Sequence, residues 1–219
     1  MKYLFFIALY KRLEVTNKCF KNLAKLQEDN NMNVFCVCSN LDEANLCNSY
    51  GFDYTIEENF PLGRKFNRGL KEAMKLDFTH LIQLGSDDII TQDLLDAYDG
   101  VDDAYFGINR YHVTNGKEAK FWIYGWNGQE IYSPIGAGRV FKKETLETAL
   151  KGGDLWPGDA CKGLDGLSDT NMMLRGFRCK LIKFDGVGII DMKTEENLHS
   201  YEDVKQCEEV DIKMLEKWL

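Results

Sequence analysis

Two adjacent carboxylates stand at the end of an apolar run: Thr79-His80-Leu81-Ile82-Gln83-Leu84 is followed by Gly85-Ser86-Asp87-Asp88. A buried strand that stops at such a pair sets hard oxygen ligands at a sheet edge, the donor set that Mg2+ or Mn2+ takes together with phosphates. One element earlier, the segment from Leu62 to Lys75 carries Lys65, Asn67 and Arg68, which can face the same anion. Acid for a cation and base for a phosphate within one αβ unit suit a nucleotide-dependent transferase. Each feature also has an ordinary structural use. Asp is favoured where a strand turns into a helix, and Thr91 or Gln92 begins another helix here. Lys65, Asn67 and Arg68 equally fit the solvated face of an amphipathic helix.

The elements that must position these side chains follow from apolar periodicity. Tyr3 to Leu9 is a continuous apolar run of strand length, and Thr16 can cap a helix in which Cys19, Phe20, Leu23 and Leu26 recur at helical spacing. Val34 to Val37, Tyr54 to Ile56 and Leu81 to Leu84 repeat the strand pattern. A short helix from Leu41 to Tyr50 and the basic helix, with its stripe of Leu62, Phe66, Leu70 and Met74, separate them. Strands without alternation, divided by helices, imply a parallel sheet covered on both faces, and such sheets bind ligands beyond the carboxyl ends of their strands.

After Gly100 the pattern changes to short aromatic strands joined by tight turns: Tyr105 to Val113, a turn at Asn115-Gly116, Phe121 to Trp126, a turn at Asn127-Gly128, then Ile131-Tyr132. A helix from about Lys143 to Leu150 leads into a glycine-rich loop. Ser168 is placed to cap the next helix, with Leu167 and Met172 as a hydrophobic staple and Gly176 as its stop. Late strands are expected at Lys180 to Phe184 and Val187 to Ile190, and an amphipathic helix from Ser200 through Tyr201, Val204, Ile212, Leu215 and Trp218. The fold class is therefore α/β: a mostly parallel central sheet with helices on both faces and a mixed C-terminal half, in one domain spanning 1–219.

Composition narrows the partners. With 219 residues, 44% hydrophobic, the chain can bury a full core. A formal charge of -8 gives no global attraction to nucleic acid or an anionic membrane. Seven cysteines, an odd number lying mostly inside apolar periodic segments, fit reduced thiols in a cytoplasmic protein. The apolar run at the N-terminus meets Lys11 and Arg12 at once, too early to span a bilayer, so no stable membrane insertion is expected. Cys36-x-Cys38 lacks a second pair at zinc-finger spacing, and there is no Walker loop, G-x-G-x-x-G or G-x-S-x-G. Trp122, Trp126 and Trp156, with Tyr124 and Tyr132, serve as core or rim aromatics, or as stacking surfaces for a sugar or base.

A βαβ half, a strand ending in Ser86-Asp87-Asp88, a mixed aromatic half, an Asp169-x-x-Met172-x-x-Arg175 helix and a late His199 together resemble the GT-A glycosyltransferases, family 2-like members above all. The resemblance covers most of the chain. It implies a nucleotide-binding half over residues 1–100 and an acceptor-binding half over 101–219. It implies a divalent ion held by Asp87, Asp88 and His199, and donor contacts from Ser86, Asp87 and Lys193. Gly136-Ala137-Gly138-Arg139 resembles the family's glycine loop, which makes Arg139 a phosphate or acceptor contact. Asp169 corresponds to the family's catalytic base, and Gly85 and Ser168 stand where the family often has acids. The activity so implied is Mn2+- or Mg2+-dependent transfer of a sugar from a UDP-sugar, with inversion, to a hydroxyl of a glycan, protein, lipid or modified nucleic acid.

The same residues leave two other readings. A sugar-phosphate nucleotidyltransferase uses a related sheet and carboxylate-bound magnesium, although Ala8-Leu9-Tyr10-Lys11-Arg12-Leu13 has no glycine after the first strand. A non-catalytic module with the same fold is the other.

Overall fold

The computed structural model describes residues 1–123, 134–195, 200–204 and 207–219. Four of the apolar runs form parallel strands: β1 (Tyr3–Ala8), β2 (Met32–Cys38), β3 (Asp53–Ile56) and β4 (His80–Leu84). The helices between them are α1 (Leu13–Asp29), α2 (Leu41–Ser49) and α3 (Leu62–Ala73). After β4 come β5 (Asp88–Ile90), α4 (Gln92–Tyr98), β6 (Tyr105–Gly107), β7 (Arg110–Thr114), β8 (Ala119–Ile123), β9 (Arg139–Lys142), α5 (Lys143–Lys151), α6 (Leu164–Leu174), β10 (Lys180–Leu181), β11 (Ile189–Met192) and β12 (Glu208–Val210). The main sheet has the order β10-β6-β9-β4-β1-β2-β3, with β9 running antiparallel to both β4 and β6. A second sheet, β12-β8-β7-β11-β5, is mixed. This is the α/β arrangement that the apolar pattern implies.

Alternation along β1 explains why both faces are covered. Phe5 and Ile7 pack with Phe20 and Leu23 of α1, Ala44 and Cys47 of α2, and Leu94 and Tyr98 of α4. Leu4 and Phe6 point the other way, into Leu70 and Ala73 of α3, Leu146 of α5 and Met172 of α6. The second sheet meets α1 through Cys19, Val15, Ile89 and Ile190. Trp156 is fully buried against Phe6 and Phe66, a core aromatic. All seven cysteines are free thiols, and Cys19, Cys36, Cys38 and Cys47 are buried. Among the described residues, no helix is long and apolar enough to cross a membrane.

Several boundaries differ from the sequence reading. Thr16 lies inside α1, whose first residue is Leu13, so it is no cap. Ser168 likewise sits in the second turn of α6, which begins at Leu164 after the left-handed Gly163. The run from Tyr105 to Val113 is two strands in different sheets, because the chain leaves the main sheet after Gly107. The tail forms β12 and a short 3-10 helix, Ile212–Leu215, instead of one amphipathic helix. Thr91 does cap α4, its hydroxyl accepting from the Leu94 amide at 3.3 Å, and Gly176 does follow α6 at φ 86°. Trp126, Tyr124, Tyr132 and the strand expected at Ile131 lie outside the described residues.

Helix α3 approaches its surroundings through glycines. A Cβ at Gly63 would stand 2.0 Å from the Pro157 carbonyl oxygen, and one at Gly69 would stand 2.2 Å from a Val37 methyl. Gly63→Ala must therefore push α3 away from the loop before α6, an overpacking that costs about 1–3 kcal/mol. Gly158→Ala, which meets no atom within 4 Å, should change stability by less than about 0.5 kcal/mol. Urea denaturation of both variants measures the difference.

Candidate active site

The carboxyl end of β4 turns sharply through Ser86 and Asp87 into β5. Gly85 is required there: a Cβ at this position would lie 2.4 Å from Asp88 Oδ2. In its absence the Asp88 carboxylate folds back and accepts the Gly85 amide hydrogen at 2.7 Å. An acid at residue 85 would exclude that arrangement.

The switch from β4 to β5 also carries the chain into the second sheet. There Asp88 pairs in register with Asp191 of β11, and the Met192 amide donates to the Asp87 carbonyl at 2.8 Å. One carboxylate oxygen from each of Asp87, Asp88 and Asp191 falls within 4.8 Å of the others, and all three residues are buried. Two cations brace the group. Arg12 donates through Nη1 to Asp87 Oδ2 at 2.7 Å and through Nη2 to Ser86 Oγ at 2.9 Å. Lys193 Nζ lies 2.6 Å from Asp191 Oδ2. The backbone that delivers Arg12 is unusual, since Lys11 and Arg12 are both left-handed, at φ 58° and 54°. Non-glycine residues in that region are strained and persist only where surroundings enforce them. The enforcing group is the buried Glu43 carboxylate, which accepts the Lys11 amide at 2.7 Å and also holds the amides of Ser39 and Asn40.

Burial, then the neighbouring charges of Asp87 and Asp191, push the Asp88 carboxyl well above the usual range. Burial and Asp87 likewise push Asp191 up to about 7, against the pull of Lys193. Burial opposes the charge on Lys193, yet Asp191 outweighs it and the ammonium is raised. Two cations against three carboxylates leave one formal negative charge. Asp191 Oδ1 is buried without a hydrogen-bond partner among the described residues. An acceptor so placed costs about 1–3 kcal/mol unless something pairs with it. Clustered hard oxygens with an unfilled acceptor suit a divalent cation such as Mn2+ or Mg2+.

A cleft of about 920 Å³ opens beside the triad at the carboxyl ends of β1 and β2. Its charged wall is balanced: Lys11, Arg12, Lys18 and Lys193 face Glu14, Asp42, Glu43 and Glu195. Of the residues singled out from the sequence, Ser86, Asp87, Asp88 and Lys193 therefore meet in one place. Arg12 and Asp191 join them without having been singled out. The signal for Asp191 is an acid inside the apolar run Gly188-Ile189-Ile190-Asp191-Met192, two residues before a lysine.

The other sequence candidates among the described residues have these partners. Lys65 is buried at the ends of β1 and β2, where its ammonium donates to the Leu9 carbonyl, to Ser39 Oγ at 2.6 Å and to Asn59 Oδ1 at 3.1 Å. Burial brings it down to about 8, with Glu43 opposing. It ties the ends of β1 and β2 together. Asn67 clasps Trp156, donating to its carbonyl at 2.6 Å and accepting its amide at 3.1 Å. Arg68 is exposed and paired with Glu57 at 2.9 Å. Arg139 is fully buried, donating to the carbonyls of Asp165 and Pro134 and to Ser168 Oγ, so it anchors α6. Asp169 accepts from the Tyr105 hydroxyl at 2.8 Å. His199 lies outside the described residues.

Among solved structures, the S. aureus TarS fragment 1–349 is similar at a TM-score of 0.63 and 17% identity, over 88% of this chain and 60% of that one. The same fragment in complex with UDP gives a TM-score of 0.59 at 16% identity, over 89% and 61%. The inositol-1-phosphate CTP transferase from T. maritima gives a TM-score of 0.58 at 13% identity, over 94% and 92%. No protein-family model and no curated protein matches the sequence. These likenesses show a GT-A, nucleotide-diphospho-sugar transferase fold. The chain spans about three fifths of the TarS fragment.

The raised Asp191 carboxyl has a defined sign. Its folded value near 7 exceeds the unfolded value of about 3.9, so its contribution to stability is complete below about pH 4 and is lost as pH rises through 7. Metal-free protein should therefore melt higher at about pH 5.5 than at about pH 7.5. Added Mn2+ must displace that proton, so its stabilising effect should grow from about pH 5.5 to about pH 7.5. Melting curves with and without Mn2+ at the two pH values check both statements.

Proposed function

We propose that the chain transfers a sugar from a nucleotide-diphosphate sugar, with UDP-sugars as the first candidates, to an acceptor hydroxyl. The observation that carries this reading is the buried triad of Asp87, Asp88 and Asp191, braced by Arg12 and Lys193, both of which also line an open cleft. Asp87, Asp88 and Asp191 would hold Mn2+ or Mg2+, which when bound supplies Lewis-acid neutralisation of the charge on a departing diphosphate. The chain's own groups carry the rest. Arg12 and Lys193 offer fixed positive charge where phosphate oxygens would enter, and they are already oriented by Asp87 and Asp191, so little reorganisation is needed. The strained turn at Lys11-Arg12, clamped by Glu43, keeps the Arg12 guanidinium aimed at Ser86 and Asp87. The UDP complex of TarS supports a uridine donor by analogy of fold.

A nucleotidyl transfer from CTP to a sugar phosphate is the second reading. The near full-length likeness to the T. maritima CTP transferase favours it, and the lack of glycine between Ala8 and Leu13 speaks against it. The two reactions release different products. With Mn2+ and a panel of UDP-sugars, sugar transfer to water or an added acceptor should release UDP. CTP with sugar phosphates should release no pyrophosphate, and the reverse outcome assigns nucleotidyl transfer. Binding of UDP-sugar with neither product would identify a non-catalytic module.

Asp191→Asn should weaken metal-dependent UDP binding at least about tenfold, since removing a ligand or its neighbour costs 10–100-fold in metal-site affinity. Titration calorimetry of UDP with and without Mn2+ measures this. Unchanged Mn2+-dependent affinity would remove Asp191 from the site.

A further inference from the structure

We infer that Arg12 is a resident counter-ion that competes with a divalent cation for Asp87, so that one guanidinium weakens metal binding and strengthens diphosphate binding. The inference rests on the reading of the triad as a cation site beside a diphosphate, and it holds for either transfer reaction.

Arg12 is held far more closely than a surface cation. Nη1 donates to Asp87 Oδ2 at 2.7 Å while Nη2 donates to Ser86 Oγ at 2.9 Å. The Arg12 and Asp87 side chains are only 18% and 13% exposed, so water and salt screen the pair little. A charge-assisted contact of that length takes one of the two oxygens that Asp87 can offer an ion.

The guanidinium is also hard to move aside. Its planar fork spans two residues, and the left-handed turn behind it is held by Glu43, which accepts the Lys11 amide at 2.7 Å. The helix that follows is locked in turn, because Val15 and Cys19 pack with Ile89, Ile190 and Leu215. Lys193 differs. Its ammonium meets Asp191 Oδ2 at 2.6 Å from the end of a flexible four-carbon stem, and it already lines the cleft into which it can swing.

Charge counting gives the consequence. Asp87, Asp88 and Asp191 carry three formal negative charges against the two positive charges of Arg12 and Lys193. A divalent ion entering alone turns that net negative charge into a net positive one, and an uncompensated charge in a poorly solvated site is costly. A diphosphate removes the excess. Further out on the wall, Lys11, Lys18, Glu14, Asp42 and Glu195 are exposed, and salt screens them. Deleting the guanidinium should therefore move the two ligands in opposite directions, which neither a packing role nor a phosphate contact alone would do.

The test is titration calorimetry of Mn2+ into the full chain without nucleotide, for native protein, Arg12→Gln and Arg12→Lys. Arg12→Gln should bind Mn2+ at least about fivefold more tightly than native, the low end of coupling between sites. Its affinity for UDP in saturating Mn2+ should fall at least about tenfold, the loss of a hydrogen bond to a charged group. Arg12→Lys, which keeps the charge and loses the fork, should lie between native and Arg12→Gln in Mn2+ affinity. Metal-free Arg12→Gln should melt below native, because Asp87 loses its buried partner, and Mn2+ should raise its melting point by more than it raises that of native. If Arg12→Gln does not fold, Arg12→Lys decides: tighter Mn2+ binding than native supports the counter-ion role, and equal or weaker binding overturns it. Mn2+ binding by both variants at or below the native affinity would overturn that role alone. Native protein that binds no Mn2+ with or without UDP would overturn the cation-site reading and this inference with it.

Discussion

Three buried carboxylates crowd one point where two sheets meet, and the structure around them is organised to make that tolerable. Like charges at such spacing in a low-dielectric setting repel by several kcal/mol unless protonated or neutralised. Arg12 and Lys193 supply part of the neutralisation from opposite directions, one from the end of β1 and one just past β11. The raised Asp88 and Asp191 carboxyls mark the repulsion that these two cations leave uncompensated. A divalent cation among the carboxylates would offset that repulsion and fill the orphaned oxygen of Asp191. The fold thus keeps a site whose repulsion a positively charged ligand relieves.

Much of the parallel half is legible in the sequence because each strand is a short apolar run and each helix has one apolar stripe. The same clarity gives Asp87 and Asp88, since β4 ends visibly before them. What the sequence conceals is pairing at a distance. Asp191 is an acid within an apolar run, and only the antiparallel register of β5 on β11 reveals that it faces Asp88. Arg12 follows a strand like many basic residues do, and its role depends on two left-handed residues that no propensity predicts.

Lys65 and Asn67 illustrate the converse error. Helical periodicity reads a basic or amide residue as solvated, whereas both are buried and hydrogen-bonded to main-chain groups. Gly63 and Gly69 let α3 come close enough for that, and a glycine's contribution to approach is invisible until the neighbour is known. A capping pattern puts Ser168 and Asp169 at a helix start, but the helix begins at Leu164, after Gly163 and one residue before Asp165. That single turn of displacement moves the first-turn acid to a different residue.

Helix α3 has two attachments on opposite flanks. Through Lys65 it is fastened under the ends of β1 and β2, and through Asn67 it is buttoned by two hydrogen bonds to Trp156 in the approach to α6. Those fastenings sit two residues apart on one rigid rod. A tilt of that rod cannot be absorbed at one flank alone, so the ends of β1 and β2 and the segment leading to α6 are mechanically a single part.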